Sequence, residues 1–140
     1  MSDLRLDAVY IPYGYITPSF PSLNWPRGSR LDSVYYLYYR DDIWRFTLYW
    51  TMIAYTVVYG AAGLWAALMC RRIKSVLIIV FYMGIGVLQA VISGSIIGAI
   101  LGLIYSAGSF TMSTWIPFVW AIVQILVMIT ISYSMSAVVL

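Results

Sequence analysis

Histidine is absent from this 140-residue sequence, and the five acidic residues are all aspartates, none of them beyond Asp42. Losing histidine removes the side chain most used for acid/base work near neutral pH and the commonest metal ligand. With no carboxylate in any apolar segment, a proton relay, an ion-coupled transporter and an intramembrane acid protease all lack their usual ionisable groups. Serines are present, but a serine without a base is not a nucleophile. Cys70 is the single cysteine, so no internal disulfide forms and redox compartment is not legible from cysteine usage. The eight basic residues make no long run with interleaved aromatics, which excludes an ordinary nucleic-acid surface. Charge of either sign is scarce, at 9% of residues against 63% hydrophobic, and nothing after Lys74 is charged. A soluble fold cannot cover its surface with so few charges, so the chain reads as an integral membrane protein.

The expected fold is all-α, a three-helix transmembrane bundle behind a Tyr/Pro-rich N-terminal region. That region, residues 1–43, carries Pro12, Pro18, Pro21 and Pro26, which break helices, and tyrosines from Tyr10 to Tyr39. Its opening residues have no apolar run of signal-peptide length, so the first span is expected to act as its own insertion signal. From Leu31 the prolines stop, and Asp32 or Ser33 is placed to cap a short helix running towards Asp41 and Asp42 at headgroup level. The transmembrane domain, residues 44–140, holds spans at about 45–69, 75–104 and 115–138. The second is longer than a bilayer core of about 30 Å requires and is expected to tilt, kink or protrude, with Gly84 and Gly86 as the weak point. Residues 105–114 form a short polar connection in which Gly108 turns the chain and Thr114 caps the third helix, with Pro117 in its first turn. Trp44, Trp50, Trp65, Trp115 and Trp120 are expected as interfacial anchors.

The compact basic loop Arg71, Arg72 and Lys74 is the strongest positive-inside signal and assigns that loop to the cytosol. The N-terminus is then luminal and the C-terminus cytosolic. Arg30, Arg40 and Arg45 compete from the other end of the first span. Asp41 and Asp42 beside those arginines read as a solvated charge cluster rather than a metal or phosphate site.

Within the second span Gly86, Ala90, Gly94, Gly98, Gly102 and Ser106 recur every fourth residue, which lines one helix face with small side chains. Such a strip lets a second backbone approach closely in lipid. It packs against the first or third helix, or it receives a partner helix or a lipid chain; the sequence leaves both open. Gln89 and Gln124 fall near the middles of the second and third spans and need partners in hydrocarbon. They bond each other or reach Ser93, Ser95, Thr56 or Tyr55 as structural glue, or they mark a polar track for lipid headgroups or a small solute.

In order, the chain presents Ile43-Trp44-Arg45-Phe46, Ala61-Ala62-Gly63-Leu64, the turn Arg71-Arg72, Met83-Gly84-Ile85-Gly86, Tyr105-Ser106-Ala107-Gly108 and Ile116-Pro117-Phe118. This succession resembles the transmembrane protein 170 family, and looks like a fungal member, over about residues 43–135; for the first forty residues no counterpart is expected. The resemblance implies a non-enzymatic membrane protein of the endoplasmic reticulum and nuclear envelope, without catalytic residues, metal or organic cofactor, and with phospholipid as its expected bound molecule. It also implies membrane lipids and a large bridge-like lipid-transfer protein as partners, together with other membrane-shaping proteins. The expected function is that of a membrane-embedded adaptor or intake subunit for such a lipid-transfer protein. Shaping of reticulum sheets and nuclear envelope is the alternative, followed by a small channel or transporter, which the uncharged spans disfavour.

Overall fold

In a computed structural model the chain is described at Gly14, residues 16–20, Leu23, and residues 36–37, 39–70, 75–108 and 110–139. The basic loop Arg71, Arg72 and Lys74 and most of the N-terminal region lie outside the described residues. Three helices carry the fold: α1 (Arg40–Cys70), α2 (Ser75–Gly108) and α3 (Trp115–Val139), each long and apolar enough to cross a membrane. At 1.5 Å per residue they are about 46, 51 and 37 Å long, so all three exceed a core of about 30 Å. A two-residue strand β1 (Tyr36–Leu37) pairs antiparallel with β2 (Met112–Ser113), with Tyr36 opposite Ser113 and Leu37 opposite Met112.

The short interfacial helix expected before the first span is not formed at Tyr36–Leu37, which are extended; residues 31–35 lie outside the described residues. Leu37 and Met112 are fully buried with Ile43, Phe46 and Leu101, and Phe20, Ile97, Tyr105 and Ile116 pack around them. Burying two long apolar side chains in this cluster outweighs the local helical preference of a Tyr/Leu stretch. Helix α1 starts at Arg40, so Asp41 and Asp42 occupy its first turn, where carboxylates offset the exposed N–H groups. Asp42 is hydrogen-bonded by Thr17 and faces Arg45.

Helix α2 is continuous through Gly84 and Gly86. It runs on to Gly108, beyond the expected end of the span, because Phe110 folds back and its N–H donates to the Tyr105 carbonyl at 3.2 Å. A Cβ at Gly108 would lie 2.5 Å from the Phe110 ring, so a larger residue there requires that ring to move. The connection therefore contains a strand rather than a plain polar loop. Ser113 accepts from the Trp115 N–H at 3.5 Å at the head of α3, next to the expected cap Thr114, which is fully buried. Pro117 sits in the first turn as its missing donor favours.

The helices do not close into a symmetrical bundle. Helix α1 packs along α2 and against the first half of α3, while α2 and α3 hardly meet. Phe20 packs on Phe46, Tyr49 and Trp50 at ring distances of 5.6, 5.3 and 5.3 Å, and Trp50 continues to Phe118 at 4.9 Å. Trp115 joins this chain of rings at 5.9 Å from Phe118. Beyond Met128 every described residue of α3 is exposed.

Candidate functional site: an intramembrane furrow

The small-residue strip is filled by α1. A Cβ at Gly86 would lie 2.8 Å from the Tyr59 ring, at Gly94 3.2 Å from Thr51, at Gly98 3.0 Å from Trp44 and at Gly102 3.0 Å from Arg40. Ala90 is fully buried beside Tyr55 and Ile125, and only Ser106, near the helix end, is half-buried. Gly63 answers from α1, where a Cβ would lie 3.2 Å from Tyr82. The strip is thus a knitted α1–α2 seam, and a partner helix or lipid cannot enter it without displacing α1.

The two amides hold helices together, but through partners other than those expected. Tyr59 on α1 donates its hydroxyl to Gln89 Oε1 on α2. Gln124 on α3 donates through Nε2 to Thr51 Oγ1 on α1 at 3.3 Å. Of the two α1 residues the sequence pointed to, Thr56 bonds neither amide, and Tyr55 lies one helical turn from both Thr51 and Tyr59, on the right face but at the wrong turn. Period-four spacing on α1 was the available signal. Thr51 itself donates to the Thr47 carbonyl at 2.8 Å, and Thr47 to that of Ile43 at 2.8 Å, so these buried hydroxyls are satisfied within α1. Thr51 can therefore only accept from Gln124, which fixes the amide's orientation and leaves Oε1 without a partner. Ser93 Oγ on α2 is likewise buried without a partner. Ser95 is half-buried.

Because α2 and α3 diverge, a furrow opens between them with α1 as its floor. Its inner chamber, of about 380 Å³, is lined by Tyr55, Gln89, Ser93, Trp120, Gln124 and Ser132 among others. An outer chamber of about 560 Å³ follows towards the Cys70 and Ser75 ends of α1 and α2 and is lined by Tyr59, Ala62, Tyr82, Met128, Ser132, Tyr133 and Ser136. The two share Met128 and Ser132 and so form one path. Each volume falls within the range of about 300–1,000 Å³ usual for small-molecule sites. Among the described residues no charged side chain lines either chamber; amides, serines and tyrosine hydroxyls alternate with apolar walls.

Of the expected anchors, Trp65 is exposed on α1, Trp44 lies over Gly98, Trp50 and Trp115 belong to the ring cluster, and Trp120 walls the furrow. Residues 36–140 match the family described as transmembrane protein 170A/B-like. The chain belongs to the transmembrane protein 170A/B-like family. The match starts seven residues before the point at which the likeness was expected to begin and runs to the end of the sequence. This family member is also 46% identical over 126 residues to the uncharacterised protein YPR153W of Saccharomyces cerevisiae, which covers 89% of this chain and 90% of the yeast protein. That coverage reaches into the Tyr/Pro-rich leader, for which no counterpart had been expected. No solved structure matches this family member.

Proposed function

We propose that this protein is a non-enzymatic adaptor and intake subunit in the endoplasmic reticulum membrane, serving a bridge-like lipid-transfer protein, with its basic loop cytosolic and its N-terminus luminal. The furrow supports this reading most directly: among the described residues its lining is uncharged and rich in hydroxyls, and it is open sideways where α3 leaves α1. A phospholipid sliding in from the leaflet places its glycerol and phosphate oxygens beside Tyr82, Tyr133 and Ser136 in the outer chamber, while its tails stay in the bilayer. Loosening the lipid from its neighbours in this way lowers what a transfer protein must overcome to extract it. The apolar outer faces of α2 and α3 suit docking against a partner's membrane anchor.

Membrane shaping by shallow insertion of residues 31–43 is the weaker reading, because Leu37 is pinned in the core by its strand partner. The experiment is affinity purification of the tagged protein at native level in mild detergent, with mass spectrometry, alongside an Ala62→Trp, Ser136→Trp variant that plugs the outer chamber. Recovery of a very large grooved lipid-transfer chain with both proteins, and slowed phospholipid delivery with the plugged one, is expected. Recovery of membrane-shaping proteins alone moves the function to organelle architecture.

A further inference from the structure

The inner chamber differs from the outer in one respect: two residues of its lining, Ser93 on α2 and Gln124 on α3, each keep a buried polar atom, Oγ and Oε1, without a partner among the described residues. Ser93 is the nineteenth residue of the 34-residue α2, so the pair sits near the middle of the span. Such atoms are costly in hydrocarbon and together call for one donor and one acceptor. Gln124 and Ser93 both line the void, and with Nε2 held by Thr51 the amide keeps Oε1 as its unused acceptor.

A phosphodiester does not fit this position, because among the described residues no cation lines the chamber to replace its hydration. Water satisfies polar atoms but leaves the apolar walls, Val123, Val127 and Ile131, facing a polar filler. A diacylglycerol presents one hydroxyl donor beside ester carbonyl acceptors and no charge. A ceramide brings three donors to a single unused acceptor and strands the remainder.

We infer that the inner chamber is a binding site for diacylglycerol, whose hydroxyl donates to Gln124 Oε1 while an ester carbonyl accepts from Ser93 Oγ. This rests on the furrow being open to lipid, as in the proposed function, but not on any protein partner. The small uncharged head lets the molecule sink to mid-span, past the point where a phospholipid's phosphate stops.

The test uses the purified full chain in phosphatidylcholine nanodiscs, with acyl-chain photoactivatable diacylglycerol, phosphatidylcholine, ceramide and sterol probes supplied in turn. Crosslinks are mapped by mass spectrometry. Diacylglycerol is expected to label residues 123–131 above the other three probes, and Gln124→Leu and Ser93→Ala are each expected to lower that labelling about fivefold. Ser93→Ala removes no bond within the chain, so it separates lost binding from lost folding should Gln124→Leu unfold. Equal or stronger labelling by another probe, labelling indifferent to Ser93→Ala, or background labelling by all four overturns the inference. Phosphatidylcholine labelling of residues 132–136 in the outer chamber is read in the same samples and bears on the intake function alone.

Discussion

Replacing Gly94 by leucine and, separately, Gly84 by alanine should move stability in opposite directions. Both glycines lie inside α2, where alanine is favoured over glycine by about 0.5–1 kcal/mol and leucine by slightly less. At Gly84 a Cβ meets nothing within 4 Å, so Gly84→Ala should express that gain undiminished. At Gly94 the first added carbon already lies 3.2 Å from Thr51 Cβ and 3.5 Å from the Leu48 backbone, and leucine adds three more. Overpacking of this kind costs about 1–3 kcal/mol, and because the tight contact is Thr51 Cβ, fixed to the α1 backbone rather than at a flexible tip, the upper part of that range applies. Shifting Thr51 also breaks its bond from Gln124, worth about 0.6 kcal/mol on average in membranes. The net expectation for Gly94→Leu is a loss of about 2–3 kcal/mol, or about thirtyfold to more than a hundredfold in the folding equilibrium. Reversible SDS unfolding of detergent-solubilised protein, followed by tryptophan fluorescence, measures it. In the Gly94→Leu background Gln124→Leu should cost less than in the wild type, since its partner has already moved. Equal stabilisation by the two glycine replacements would refute the α1–α2 seam.

Tyr59→Phe should destabilise by about 0.6–1.7 kcal/mol and show coupling to Gln89→Leu in a double-mutant cycle, because the two side chains share one bond between α1 and α2. Leu37→Ala should cost about 2–5 kcal/mol, as expected for a large side chain removed from a closed cluster, and is read in the same unfolding assay. With Cys70 replaced by serine, Tyr36→Cys and Ser113→Cys should crosslink on mild oxidation whereas Tyr36→Cys and Met112→Cys should not, which checks the strand register on a gel. Trp65→Ala should change unfolding by less than about 0.5 kcal/mol, since the side chain is largely exposed.

The three spans were legible because hydropathy over some twenty residues and the positions of the last charges determine where a chain enters and leaves lipid. The strip was legible for a similar reason, as a period of four in small residues needs no partner to be seen. Its occupant was not, since Tyr59, Thr51 and Trp44 on α1 have no compositional mark that distinguishes them from residues facing lipid. Apolar residues on every side of a membrane helix erase the amphipathic signal that reveals packing faces in soluble proteins. The strand pair escaped because it depends on residues 36–37 meeting residues 112–113 across two helices, a contact without local pattern. The furrow escaped for the complementary reason: it arises where α2 and α3 part after a brief contact, and nothing in a sequence writes a missing contact.

The central position of α1 bears on how the protein is made. Of the three helices it leaves the ribosome first, and the other two dock mainly on its surface, so each can dock on arrival without waiting for the next. A chain halted after Gly108 already contains both sides of its largest interface, with only the seats for Phe118, Ile125 and Gln124 vacant. Late arrival of α3 then adds the furrow as a finishing step on a hairpin that has already formed.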